Sequence, residues 1–478
     1  MSKNLQSFLA DMKEKLPRNL LFSDKLTDPR YEATAVLRKL ELSGKSPIVV
    51  WNHALNLKQA ESPVRLAFNF FAGRDTIAVA LGLNANESRM EPAMALQERY
   101  SHPIDPVVIK REEAPVKEIV LKGGQINLLN YPIPIHHELD GGPYILGGVL
   151  VTKDPDTGLY NLAMIRLQVK GPNRLAVHAE RHHHSGTIIH KYIDSGKKAP
   201  FAVVIGHHPA FYLGALWEGA LGRNEYTLSG GVLQEPVRLT DSETWGSDFL
   251  VPADADIIFE GEALPGQLED EGPIGEHTRY YKNVCGGKVE YNHDPAAELT
   301  AITRKKNAVF LSTFIGHKDH VLAGSLPKEA VIYQNVKRVC TGLKEVHMTP
   351  SGQGRYICYI SMHQRVAGEA KNAMLAAFSS DWHIKYVVAV DEDVDVYNDG
   401  EVLWAIATRT QADTDFFVIP NAMGATVDPT VSRNPLRPLS AKMGFDATKP
   451  VGVPFSDVCE VNKELLSKIK LSDYFKGY

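Results

Sequence analysis

YNLAMIRLQVKGPNRLAVHAERHHHSG, residues 160–186, decides the fold reading. Two runs rich in apolar and β-favouring residues flank Gly171-Pro172-Asn173, the composition of a turn between strands. The same character continues outward. GGVLVTKD precedes the stretch, and FAVVIG, DIIFEGEAL, GGKVEYN and AVFLSTFIG follow it as further strands, with DPDTG as another turn. IIHKYIDSGKK reads as a helix packed on that sheet. A mostly stranded body from Gly147 to about Thr313 is expected.

On its N-terminal side, LQSFLADMKEKL and EATAVLRKLELSG read as helices and PIVVWN as a short strand. Leu5, Phe8, Leu9 and Met12 recur at helical spacing. The Pro-rich passage NLLNYPIPIHHELDGGPYILGG marks a boundary or a long shaped loop. Beyond Pro327 helices and strands alternate. PKEAVIYQNVKRVCTG is helical, RYICYISMHQ extended, GEAKNAMLAAFSS helical, KYVVAVDEDVDV a buried strand ending in acids, and EVLWAIATRTQ helical. That order predicts an α/β unit with parallel strands. NKELLSKIKLSDYF is a short amphipathic helix suited to docking on a neighbour.

Bulk properties narrow the function. A chain of 478 residues supports two or three domains with substantial cores. A net charge of −5 and a pI near 6.4 leave no basic footprint, which argues against a nucleic-acid partner. Four cysteines without a C-x-x-C spacing read as reduced thiols. Charges interrupt the apolar pattern at the N-terminus, so no signal peptide is read there, and no window reaches the roughly 18–20 apolar residues of a membrane span. A cytoplasmic protein is expected.

The chemistry gathers in two places. LEDEGPIGEHTRYY, residues 268–281, crowds Glu269, Asp270 and Glu271 before Gly-Pro-Ile-Gly and a fourth acid, Glu276. Acid-rich turns are commonly solvated loops, but Pro273 between two glycines stiffens this one. Two carboxylates aimed at one cavity shift each other's pKa, so that one can serve as a proton donor. The second place is the opening stretch itself. Asn161 and Arg166, five apart on a strand, point to opposite faces unless a bulge intervenes. Asn161, the run His182-His183-His184 and a nearby acid make a mixed N/O set suited to Mn²⁺ or Mg²⁺, with Glu235 in GGVLQEP as the acid. Arg166 then remains free to hold a carboxylate in its planar fork.

The ordered set N-x-x-x-x-R at Asn161 to Arg166, E-G-P-x-G-E at Glu271 to Glu276, VDEDVDV at 390–396, EVLWAIATR at 401–409 and SAKMGFDAT resembles the UbiD-type decarboxylases, which use prenylated FMN. The resemblance covers most of the chain. It implies an α/β multidomain fold: an N-terminal α/β domain over 1–110, a central split β-barrel binding prenylated FMN and metal over 111–320, a C-terminal α/β oligomerisation domain over 321–450, and a helical tail over 451–478. The absence of G-x-G-x-x-G after the strands agrees with a mononucleotide on a split barrel.

By the same resemblance the catalytic residues are Arg166, Glu271 and Glu276. The metal ligands are Asn161, His182 (with His183 or His184 as alternatives) and Glu235, and Lys442 meets the cofactor phosphate. Mn²⁺ with K⁺ nearby anchors the flavin phosphate. The implied reaction is reversible non-oxidative decarboxylation of an aromatic, heteroaromatic or α,β-unsaturated acid through a covalent prenylated-FMN adduct, with Glu276 as proton donor. A polyprenyl-hydroxybenzoate decarboxylase is the alternative within the family. Dependence on a flavin prenyltransferase and a homo-oligomer, dimer or hexamer, are implied as well. His277, His317 and His320 are candidate substrate-selecting residues. A metal-dependent hydrolase built on the His/Glu cluster is the alternative from another class.

Overall fold

Ile165 and Arg166 alone separate two strands that lie near opposite ends of one sheet. The computed structural model describes residues 2–432, 434 and 436–475. The sheet runs Tyr144–Ile145, Leu167–Val169, Arg174–Val177, Asn292–Arg304, Ile257–Glu271, Ala199–Ile205, Val149–Lys153, Tyr160–Met164. Its neighbours pair antiparallel, and Ile119–Lys122 adds a ninth strand against Asn292–Arg304. The three peptide steps from Met164 to Leu167 span at most about 10 Å. The sheet must therefore curl until its two ends meet, which makes it a half-barrel with Arg166 at the seam.

The strand Ile257–Glu271 is buried along its first half, projects into solvent at Gly266, Gln267 and Leu268, and is buried again at Glu271. A small apolar group of Tyr144, Leu146, Ile274 and Ile315 lies under the following turn and fixes its depth. The helix His184–Asp194 packs on the sheet as read, and the helices Pro209–Gly214 and Glu225–Leu233 follow the strand Ala199–Ile205.

The expected α/β multidomain class is the observed one, with three corrections inside it. Val309–Leu311, read as a strand of the barrel, is instead the fourth strand of the N-terminal sheet Leu20–Ser23, Ile48–Trp51, Arg65–Phe68. It pairs parallel with Arg65–Phe68, and all three of its residues are fully buried, as a continuous apolar run allows. The C-terminal sheet (Leu343–Met348, Ile357–Met362, Tyr386–Asp391, Leu439–Ala447, Phe416–Met423) is mixed rather than parallel. Its two outer pairs are antiparallel because a connection without an α-helix joins each of them, whereas a parallel pair needs a crossover. Finally, the helix expected after Pro327 begins at Lys318 and runs to Val339 with Pro327 inside it. Burial of Leu322, Leu326 and Ala330 outweighs the hydrogen bond that proline cannot donate.

The tail from Gly452 onward is exposed and carries the short helix Lys463–Lys468; residues 476–478 lie outside the described residues. Among the described residues no helix is long and apolar enough to cross a membrane.

Candidate active site

The break between Tyr160–Met164 and Leu167–Val169 releases Arg166 from strand alternation, so it need not face away from Asn161. Its guanidinium meets both motif glutamates. Nε and Nη2 donate to Glu271 Oε1 and Oε2 at 3.0 and 3.2 Å, and Nη1 donates to Glu276 Oε1 at 3.0 Å. Glu271 is completely buried and also accepts from Tyr144 Oη at 2.9 Å and Asn292 Nδ2 at 2.6 Å. Burial would push its carboxyl up, but Arg166, His178 and these hydrogen bonds hold it below the usual range. Burial likewise opposes the charge on Arg166, and the two glutamates restore it and raise its pKa. The Glu276 side chain makes only the Arg166 hydrogen bond among the described residues.

The turn is held from several sides. Gly272 N donates to Gln168 Oε1 at 3.1 Å, Gly275 N to Asp140 Oδ1 at 3.0 Å, Glu276 N to Tyr280 O at 2.9 Å, and Gly141 N to Pro273 O at 2.7 Å. Gly141 is there for space, because a Cβ would collide with the Gly272 carbonyl. Of the three leading acids only Glu271 turns inward. Glu269 pairs with Arg174, and Asp270 with His293 at the surface.

The residues expected to hold a metal do not gather in one place. His182 is exposed and gathers with His183 and Glu180 at the surface, while Glu235 accepts from Lys3 N at 2.6 Å. Neither reaches Asn161. The buried Asn161 instead faces Ser185 Oγ at 2.8 Å and Glu225 Oε1 at 2.9 Å, and His184 Nδ1 lies 3.6 Å from the same Glu225 oxygen. The physical reason lies in the helices. His184 opens the helix His184–Asp194 and reaches Glu225, whereas His182 and His183 precede it in the exposed turn. Glu225 opens the helix Glu225–Leu233 and Glu235 lies past its far end, about 15 Å along at 1.5 Å per residue.

Asn161, His184 and Glu225 fit a cation. Burial pushes the Glu225 carboxyl up despite His184 and the Leu162 N–H, and among the described residues its ion-pair partner is that histidine. If the Asn161 carbonyl turns toward Glu225, two oxygens and an imidazole nitrogen converge, a donor set suited to Mn²⁺ or Mg²⁺. Lys442 is engaged elsewhere; its ammonium donates to Trp382 O and Ile384 O in the C-terminal part.

The three further histidines separate. His277 is buried, with Nε2 3.2 Å from Tyr356 Oη and its ring centroid 6.5 Å from that of His320. His317 stacks on Phe314 at 3.7 Å and lies 2.8 Å from Glu41, so it ties the helix Glu32–Leu42 to this region. Sequence reasoning missed Tyr144, His178, Asn292 and Asp294. Asn292 stands directly opposite Glu271 in the strand register, and His178 Nδ1 lies 2.9 Å from Asp294 Oδ2. Register across a 21-residue separation leaves no local signal; His178, a polar residue in the alternation of RLAVHAE, does.

Family models for the 3-octaprenyl-4-hydroxybenzoate carboxy-lyase Rift-related domain and C-terminal domain match residues 107–318 and 321–447. The chain belongs to the UbiD family. As a UbiD chain it is a carboxy-lyase. It is 32% identical over 330 residues to an anhydromevalonate phosphate decarboxylase of Methanothermobacter thermautotrophicus, covering 69% of this chain and 75% of that protein. The UbiD-class enzyme HmfF from Pelotomaculum thermopropionicum, solved in complex with FMN, is 34% identical, with a TM-score of 0.88 over 99% of this chain and 100% of that one. An evolved dimeric form of HmfF in complex with prFMN is 31% identical, with a TM-score of 0.85 over 99% and 100% of the two chains.

Proposed function

We propose that this UbiD carboxy-lyase catalyses reversible non-oxidative decarboxylation of an aromatic, heteroaromatic or α,β-unsaturated acid, with prenylated FMN as cofactor. The observation that carries the reading is Arg166 clamped between Glu271 and Glu276 at the barrel seam. Prenylated FMN, when bound, supplies the electron sink that loss of CO₂ from an sp² carbon requires.

The chain's own residues do the rest. Glu271 is saturated by Arg166, Tyr144 and Asn292, so it stays a carboxylate and orients Arg166. Arg166 in turn positions Glu276 through Nη1. Glu276, with its second oxygen uncommitted among the described residues, delivers a proton to the carbon that has lost CO₂. Asn161, His184 and Glu225 would hold Mn²⁺, a cation that anchors the cofactor phosphate. A flavin prenyltransferase would supply the cofactor. The apolar residues exposed along the tail, Val461, Leu465, Leu466, Tyr474 and Phe475 among them, support a homo-oligomer. The decarboxylase reading is preferred over the hydrolase alternative because the matching family model and the named relatives are carboxy-lyases and decarboxylases.

The test uses protein co-produced with a flavin prenyltransferase and a panel of aromatic and unsaturated acids. Glu276→Gln keeps the size and hydrogen-bonding shape of the side chain but delivers no proton, so turnover falls about 10²–10⁴-fold. A change in the flavin spectrum on adding substrate survives the substitution. Glu269→Gln, which touches only the Arg174 ion pair, retains most activity. Full turnover by Glu276→Gln overturns the assignment.

A further inference from the structure

Arg355 is half-buried in the segment between the strands Leu343–Met348 and Ile357–Met362, and its guanidinium makes no hydrogen bond or ion pair with any described residue. An arginine drawn partly out of water ordinarily recruits a carboxylate. The acids in this neighbourhood are already committed, Glu276 to Arg166 and Asp428 to Lys385 at 2.7 Å. Asp381 is held by Lys328 Nζ at 2.5 Å and lies 2.8 Å from His383 Nδ1, while Lys328 also reaches Glu218 at 3.2 Å.

Around Arg355 stand more donors than acceptors. Its Nη2 lies against Gly324, where a Cβ would come within 3.3 Å of it, one turn along the helix Lys318–Val339 from His320, and Tyr356 is its neighbour in the chain. His277 and Tyr356 meet at 3.2 Å, the His277 and His320 rings are 6.5 Å apart, and His320 Nδ1 is buried without a partner among the described residues. This group adjoins the reacting centre, because His277 directly follows Glu276 and the Glu276 charge acts on Tyr356. It is carried by the turn 272–281, the helix Lys318–Val339 and the segment before Ile357, not by the elements that hold Asn161, His184 and Glu225.

We propose that Arg355, with His277, His320 and Tyr356, binds a second anionic group on the substrate, distal to the carboxylate that is lost. The inference deepens the decarboxylase reading and rests on it: the substrate is an unsaturated or aromatic acid that also carries a carboxylate or a phosphate. A planar guanidinium accepts either group through two parallel hydrogen bonds, and the neighbouring imidazoles and phenol donate to its remaining oxygens. The name of one relative denotes a phosphate-bearing substrate, which agrees with that chemistry.

The experiment compares holoprotein and its Arg355→Gln variant on three sets of ring acids: monoacids, the same rings with a second carboxylate, and the same rings with a phosphonate. Binding of each acid is titrated by flavin fluorescence alongside turnover. The parent prefers one dianionic set, and Arg355→Gln cuts the ratio of kcat/KM for dianion over monoacid about 10–100-fold. Arg355→Lys recovers part of the preference, and flavin content stays that of the parent. Loss of flavin from Arg355→Gln would instead place the cofactor phosphate at this arginine and overturn the proposal. An unmoved ratio overturns it too. If no acid is turned over, the decarboxylase reading fails on its own, and equal dissociation constants for mono- and dianions in both proteins sink the anion site.

Discussion

Glu225 and Glu235 are ten residues apart and opposite in environment. Glu225 is buried against Asn161 and His184, while Glu235 caps a backbone N–H near the N-terminus. Glu225→Ala removes one oxygen ligand and the negative charge that offsets a divalent cation. Calorimetric titration of the protein with Mn²⁺ should then show binding weakened at least about 10-fold, whereas Glu235→Ala leaves it intact. Equal loss in both variants would return the ligand role to Glu235. At this scale the sequence motifs picked out Arg166, Glu271 and Glu276, which gather in the structure, and Asn161, which is buried. It was ambiguous across His182-His183-His184, where only the start of the helix decides which ring turns inward.

The turn 272–281 works as one element, pinned by Gln168, Asp140 and Gly141. The sequence foretold its stiffness from Gly-Pro-Ile-Gly but not its partners, which come from the Pro-rich passage and the strand Leu167–Val169, more than a hundred residues earlier. Gly141→Ala forces the new Cβ against the Gly272 carbonyl, so the turn must shift. A displacement near 1 Å in a positioned catalytic group costs about 10²-fold. Activity should fall by that order while far-UV circular dichroism stays that of the parent; full activity would mean that the turn does not aim Glu276. Elements with strong local patterning, such as Leu5–Lys15 and Glu369–Ser380, were read directly from spacing. Sheet membership was not, because Val309–Leu311 has the same apolar composition whichever sheet it joins.

Across the whole molecule, buried neutral histidines set the response to acid. Burial pushes His136 and His207 down to about 4 and His208 and His320 down to about 3, at sites spread from the barrel edge to the long helix. Each stays neutral in the folded chain but takes a proton in the unfolded chain below its ordinary pKa of about 6.5. The unfolded state therefore binds more protons between about 6.5 and 4, and stability falls as pH falls through that window. At pH 5 each group costs about 2 kcal/mol, or about 8 kcal/mol for four, against a total stability of roughly 5–15 kcal/mol. Asp319 works the other way: burial lifts its carboxyl to about 6, so it takes its proton first in the folded chain and offsets about 1 kcal/mol at pH 5. The thermal midpoint should be flat from pH 8 to 7, drop below about 6.5, and collapse near pH 5. His136 is the clean probe, because neither of its ring nitrogens has a hydrogen-bond partner among the described residues. His136→Gln should shed about one proton's worth of that slope, so the variant loses about 2 kcal/mol less than the parent between pH 7 and 5. A midpoint that holds steady down to pH 5, or an identical slope in His136→Gln, would show that these rings are charged in the folded chain.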